Sequence, residues 1–340
     1  MNPSQDQKKE CSIFRKKIYN ALLIFYKNMT SLPLLFLKRL ESIIPPDFFP
    51  QVEKNFSLPS RIVVRINTIK LTVDRALKTL AEKQIAFTPI PWLKEAVLLE
   101  KINPEELGQM DLIREGYLYR QALSSLLPSL ILDPQSNDFI LDLCAAPGSK
   151  TTQMAAQMQN QGSIIAIEPI RARYYKLKSV ITQMGAENVS VKCLDGRRFR
   201  SADRLFDKIL LDVPCSTEGR FKTYDAKSYA YWSPRKIKEM AHKQRGLLLS
   251  ASRLLKPDGI LVYSTCTFAP EENEAIVDWF LRKTPVPFQV MPIELPRINR
   301  YPCILKWGKK LFNPQIENCL RILPDEIMEA FFVAKLRRLS

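Results

Sequence analysis

Two cysteines stand where residue type and spacing could support covalent chemistry. Asp212-Val-Pro-Cys215 and Ser264-Thr-Cys266 each place a thiol just beyond an apolar run, Phe206 to Asp212 and Ile260 to Thr265, that has the pattern of a buried strand. A thiol in a core is inert, and one cysteine alone is best read that way; a thiolate exposed at a strand end is a nucleophile. Here two occur, and Cys144, Glu168 and Asp195 fall at the ends of three further apolar runs. Reactive or polar groups gathered at the carboxyl ends of strands are how open α/β sheets hold ligands.

The stretch Leu141 to Ala155, LDLCAAPGSKTTQMA, shows what these groups could surround. Ile140, Leu141 and Leu143 supply a buried strand. Ala145, Ala146 and Gly148 remove side-chain bulk, so that backbone amides can approach a nucleotide-like cofactor, and Ser149 begins a helix. The same succession occurs in folds that hold nothing there. Glu168 ends the next strand about 20 residues after Gly148, where a carboxylate can accept bonds from both hydroxyls of a ribose; the alternative is a surface acid. Asp195 before Gly196 suits an adenine amino group, or a plain Asp-Gly turn.

The elements needed to position these groups are legible. Strands at 139–143, 163–168, 189–193, 206–212 and 260–265 alternate with helices at 149–158, 172–184, 234–255 and 271–282, the last stop of the long helix falling at Pro257 and Gly259. This βαβ repetition predicts an α/β fold with a doubly wound, mostly parallel Rossmann-like sheet, closed by strands at 319–323 and 331–336. Upstream, alternation from Arg61, a helix from Thr72 to Lys83 and a strand at Glu95 to Leu99 predict a small α/β lobe. Residues 1–55 read as helical, with Phe14, Ile18, Ala21, Leu22 and Phe25 on one face, until Pro45, Pro46 and Pro50 break the pattern. The expected division is 1–55, 56–112 and 113–340.

The chain has 340 residues, with 51 Lys and Arg against 35 Asp and Glu, a formal charge of +16. Such an excess favours a polyanion as partner, nucleic acid first, over a generally basic surface. Arg65, Lys70, Arg197 and Arg220 are candidate phosphate contacts or plain solvated charges. The basic residues are spread along the chain, which argues against a membrane-surface helix. Seven cysteines without a Cys-x-x-Cys pair fit neither a disulfide framework nor a zinc site, and no metal is expected. The apolar runs at 21–26 and 32–37 are too short to span a bilayer and precede no cleavage pattern, so a cytoplasmic location is expected. The lone His242 reads as solvated or RNA-facing. Tyr231 and Trp232 could stack on a base but fit core packing better, ahead of a cap at Ser233 and Pro234.

In their order along the chain these segments resemble the Sun/Nop-type (RsmB/NOP-like) RNA (cytosine-5) methyltransferases, which use S-adenosylmethionine. The likeness is carried by Arg65-Ile-Asn-Thr-Ile-Lys70, Gly116 to Ser125, Asp142 to Thr151, Asp212 to Gly219, Tyr263 to Thr267 and Pro270 to Glu274. It implies a class I methyltransferase sheet with an N-terminal RNA-binding lobe, and structured RNA, ribosomal or transfer, as partner of a monomer. It implies that Cys144, Ala145, Ala146, Pro147, Gly148, Ser149, Lys150, Glu168, Arg173, Asp195 and Asp212 hold the cofactor. Carbon 5 of cytosine is too weak a nucleophile to take a sulfonium methyl unaided, so a thiolate first adds to carbon 6. By the resemblance Cys266 is that nucleophile and Cys215 helps release the product. Asp212, protonated or sharing a proton, would bond the ring nitrogen and amino group, with Lys150 as a second contact. Two departures stand out: Pro169 follows Glu168, and Asp325 stands where the family usually has His. A catalytically idle RNA-binding assembly factor is the alternative from another class. DNA cytosine methylation is disfavoured, because there the nucleophile lies in the Pro-Cys segment.

Overall fold

The computed structural model describes residues 32–201, 204–295 and 298–340; the helical face expected at Phe14 to Phe25 lies outside them. Two short helices come first, α1 (Leu34–Ile43) and α2 (Phe49–Ser57), separated by Pro45 and Pro46. Their apolar sides, Phe36, Leu40, Val52 and Phe56, pack on Phe221, Phe268 and Tyr301. They therefore buttress the turns beyond the later catalytic strands.

A four-stranded antiparallel sheet follows, built from β1 (Ile62–Ile66), α3 (Val73–Glu82), β2 (Phe87–Ile90), β3 (Leu93–Leu99), α4 (Pro104–Gln109), α5 (Asp111–Arg114) and β4 (Leu118–Arg120). Its order is β2-β3-β1-β4, so the sheet takes in a strand beyond residue 112. The alternation along β1 separates two cores rather than core from solvent. Val64 and Ile66 lie under Ala76 and Leu80 of α3, while Val63 meets Leu123 and Leu126 of the next helix.

The remaining elements are α6 (Leu123–Leu132), β5 (Phe139–Asp142), α7 (Ser149–Gln157), β6 (Ser163–Ile167), α8 (Arg171–Met184), β7 (Val189–Lys192), β8 (Phe206–Asp212), α9 (Pro234–Leu254), β9 (Leu255–Thr265) and α10 (Glu274–Lys283). Short strands β10 (Phe288–Met291), β11 (Arg300–Tyr301), β12 (Lys306–Trp307) and β13 (Lys310–Leu311) precede β14 (Leu320–Ile322) and β15 (Phe331–Arg338). The main sheet runs β11-β14-β15-β9-β8-β5-β6-β7, with β10 also paired to β15. Strands β7, β6, β5, β8 and β9 are parallel, and β15 joins β9 antiparallel. Strand β5 pairs with both β6 and β8, so the chain reverses its winding there. The crevice outside the carboxyl end of β5 is where such sheets bind ligands.

Two boundaries differ from expectation for physical reasons. The long helix ends at Leu254, one residue before the expected 255, and β9 begins at Leu255 and not at Ile260, because Leu255 already pairs with Phe206 across a bulge. Helix α10 starts at Glu274 and not Glu271, because Glu272 and Asn273 are occupied in bonds to Ser216 and Thr265.

Candidate active site

Strands β8 and β9 run in register, Asp212 beside Ser264, so the segments that follow them emerge side by side. This brings the sulfurs of Cys215 and Cys266 to 3.4 Å of each other. Cys266 keeps 8% of its surface, and both thiols open onto a cavity of about 760 Å³. Their protons are not equivalent. The Cys266 thiol is pulled below the usual range, first by the hydrogen bond from Cys215 and also by the Arg220 guanidinium, against burial and the charges of Asp212 and Glu329. Cys215 is pushed well up by that same hydrogen bond and by burial. The surroundings thus bias the pair in opposite directions, with negative charge favoured on Cys266 and the proton on Cys215.

Beside the sulfurs, Lys150 Nζ pairs with Asp212 Oδ2 at 2.6 Å and donates to Ser125 Oγ at 2.7 Å. Ser264 Oγ donates to Asp212 Oδ1 at 2.7 Å. Lys150 is on the first turn of α7 and nearly sealed, so its ammonium is compensated by this carboxylate. Ser125 and Ser264 were not singled out in the sequence, although both lie inside quoted segments; a hydroxyl among catalytic residues carries no pattern of its own.

Behind Cys215, Glu272 accepts from the Ser216 amide at 3.1 Å and from Gln244 Nε2 at 2.8 Å, and Gln244 also donates to Pro214 O at 3.0 Å. Burial pushes Glu272 up to about 8. Ser216 Oγ shares a proton with Thr267 Oγ1 at 2.7 Å, and Thr267 donates to Glu218 Oε2 at 2.8 Å. These buried bonds lock the two cysteine segments to each other. Apart from Gln244 its members lie inside the quoted segments, but nothing in the sequence shows that they bond to one another.

Along the cavity from the sulfurs lie Asp142, Cys144, Ala145, Ala146, Pro147 and Ser149 from the β5 loop, then Glu168, Arg173 and Asp195. Glu168 is almost fully buried; its Oε1 accepts from the Ile170 amide at 2.9 Å and its Oε2 pairs with Arg173 at 3.3 Å. Arg173 also donates to Ala146 O at 2.8 Å, so one side chain braces loop and acid together. Asp195 is held by Arg197 at 2.5 Å, which pulls its carboxyl below the ordinary range. Asp142 is pushed up to about 6 by burial, and accepts from Thr151 Oγ1 at 2.7 Å.

The structure alters some of the expected placements and keeps others. Gly148 does not line the cavity: at φ +112° it starts α7, and its α-carbon packs toward Leu177 and Val180. Cys144 lines the wall, but burial and nearby carboxylates push its thiol well above the usual range, so it is not a reactive group. Arg65 is 3% exposed and bonded to Gln121 and Thr152, too deep for an RNA backbone. Lys70 is spent on the Glu115 and Gln183 carbonyls, and Arg197 on Asp195. Asp325 caps a turn by accepting from the Ile327 and Met328 amides. His242 is exposed; Trp232 is packed on Phe36 and bonded to Glu218, whereas Tyr231 stays 89% exposed.

The 16S rRNA methyltransferase RsmB/F family matches residues 129–337. The chain belongs to that family of RNA methyltransferases. The ferredoxin-like domain of the RsmF/B-like methyltransferases matches residues 32–104, which takes in α1 and α2 as well as β1 to β3 of the small sheet. A tRNA (cytosine(49)-C(5))-methyltransferase of Pyrococcus abyssi is 38% identical over 281 residues, covering 82% of this chain and 89% of its own. A ribosomal RNA small subunit methyltransferase F of Escherichia coli is 39% identical over 82% of this chain; the chain spans only 57% of its length. A solved methyltransferase homologue from Pyrococcus horikoshii superposes with a TM-score of 0.75 at 28% identity, over 91% of this chain and 100% of that one. No helix among the described residues is long and apolar enough to cross a membrane.

S-adenosylmethionine is the methyl donor of this RsmB/F-family enzyme, and the cavity residues fit it. Glu168, sealed at the end of β6 with its carboxylate directed by Ile170 and Arg173, suits a ribose diol. Ala145 and Ala146 leave the backbone open beside it, and Asp195 ends the adjoining wall.

Proposed function

We propose that this enzyme methylates carbon 5 of a cytosine in structured RNA, ribosomal or transfer, through a transient bond from Cys266 to carbon 6. The observation that carries the proposal is the sulfur pair at 3.4 Å, biased to opposite protonation, beside the Lys150–Asp212 pair on a cofactor-sized cavity. Cys266, favoured as thiolate, adds to carbon 6; the ring then carries negative charge toward its nitrogen 3 edge. In this reading the Lys150–Asp212 pair gives nitrogen 3 a proton and accepts from the exocyclic amino group, which uracil lacks. S-adenosylmethionine, when bound, supplies an electrophilic methyl group. After transfer carbon 5 bears both hydrogen and methyl. Loss of that hydrogen as a proton to solvent re-forms the double bond and expels the Cys266 thiolate, nitrogen 3 returns its proton to the Lys150–Asp212 pair, and Cys215, in contact with the departing sulfur, assists this release.

The RNA-binding role of the small lobe is part of the same proposal. It is supported by Ser60, Arg61, Tyr119 and Arg120, which wall the cavity from that side. The test is methyl transfer to RNA. Cys266→Ala abolishes incorporation of labelled methyl, whereas Cys215→Ala accumulates a protein–RNA adduct that survives denaturing gels. An adduct that persists in Cys266→Ala, or full activity of that variant, refutes the assignment.

A further inference from the structure

Arg220 lines the same cavity as both sulfurs, and backbone packing determines where it stands. The Glu218–Arg220 turn is tied to the nucleophile's own backbone by the Gly219 amide, which donates to Cys266 O at 3.0 Å. No side chain fits at Gly219: a β-carbon there would lie 2.5 Å from the Ala330 carbonyl oxygen and 3.0 Å from that of Cys266. Glu329, next to Ala330, holds Arg220 Nε at 3.2 Å. On the other side Phe221 is buried against Phe36, with ring centroids 4.9 Å apart. Three segments distant in sequence, at 218–220, 266 and 329–330, are locked into one cluster.

The charges around Cys266 come from every element packed on it. Asp212 and Cys215 come from the end of β8 and the loop after it, Arg220 from the turn, and Glu329 from the segment before β15. Lys150 of α7 is already engaged by Asp212, and Glu272 acts on Cys215 from behind. Asp212 and Glu329 oppose a negative sulfur; Arg220 is the cation that favours it.

We propose that Arg220, held by Glu329, is a positioning residue that supplies the positive charge for the Cys266 thiolate, so that this pair sets the pH range in which Cys266 can bond to RNA. The inference rests on the reading of Cys266 as nucleophile. It gives the two partners opposite effects. Arg220→Met removes the cation and leaves Glu329 behind, moving thiolate formation to higher pH by about one unit or more. Glu329→Gln removes an opposing charge and moves it to lower pH, while Arg220→Lys keeps the charge and stays near wild type.

The measurement is the rate of iodoacetamide alkylation at Cys266 in the RNA-free protein from about pH 6 to 10, read by mass spectrometry of the peptide containing it. The pH profile of RNA methylation by the same variants accompanies it. Opposite displacements of the alkylation midpoint in Arg220→Met and Glu329→Gln support the inference, since a packing defect lowers the rate at every pH without moving the midpoint. Midpoints that coincide with wild type, or move the same way, overturn it. Should Arg220→Met fail to fold, Glu329→Gln decides alone: an unmoved or higher midpoint is a refutation. If Cys266→Ala still methylates RNA, the underlying reading has failed; if it is dead but the midpoints coincide, only the role of Arg220 has.

Discussion

A proton shared by two sulfurs goes where the surrounding charge sends it, and in this site that charge runs from sealed groups, Lys150 and Glu272, to a half-exposed one, Arg220. Glu272 shows the cost. The folded protein holds its carboxyl up at about 8, against an ordinary 4.5, so between those values it keeps a proton that the unfolded chain has released. Stability must therefore fall as pH rises through this window, and Asp142, raised to about 6 from 3.8, adds to the fall at the acid end. Glu272→Gln retains an oxygen for the Ser216 and Gln244 donors and removes the titration. Denaturant melts at about pH 5 and 9 should show the wild type losing more stability than the variant, by on the order of 2 kcal/mol. An equal loss in both would show that Glu272 does not titrate in this range. The proximity of the candidate groups was legible: Cys215, Cys266, Asp212 and Lys150 each lie in a short, specific segment and meet in space. Their regulators, Arg220 as a charge on sulfur and Glu329 as its holder, were not, because no local pattern links positions 220 and 329.

Elements keep these groups in place, and one buried ion pair fastens several of them. Arg321 on β14 meets Glu274 at the start of α10 through two bonds of 2.5 and 2.6 Å, and also donates to Tyr301 Oη at 2.9 Å and Phe268 O at 3.1 Å. Phe268 is two residues past Cys266, so the closing strands are tied to the loop that carries this thiol. Arg321→Met leaves a fully buried Glu274 without its cation, and should cost about 3–5 kcal/mol in equilibrium unfolding. Replacing Glu274 by Leu in the same chain should recover much of that loss; a purely additive double variant would contradict the pairing. Nothing in Cys319-Leu-Arg-Ile-Leu323 marked its arginine as buried, since the partner is 47 positions away. The same blindness applies to Arg65, whose place in an alternating strand suggested an outward charge until α6 and α7 covered that face. Long apolar strands were read correctly because burial on both faces leaves unbroken runs, whereas β10 to β13 are too short to leave any pattern.

For the whole molecule the dominant quantity is the formal charge of +16. Binding of an RNA substrate should weaken at least tenfold between about 50 and 200 mM salt, as counterion release requires, while the affinity for S-adenosylmethionine changes far less. Filter binding and calorimetry over that range decide it, and a flat RNA curve would remove the polyanion argument. Around the cavity, by contrast, four acids are matched locally by cations. Glu168 with Arg173, Asp195 with Arg197, Asp212 with Lys150 and Glu329 with Arg220 ring its wall as four opposed couples. Each acid a visitor would seek is already spoken for, so entry is a change of partners rather than the filling of open valences. Such a wall rewards only a guest whose hydroxyls and amines replace every bond they displace, which makes it a filter on shape and polarity more than a source of tight grip.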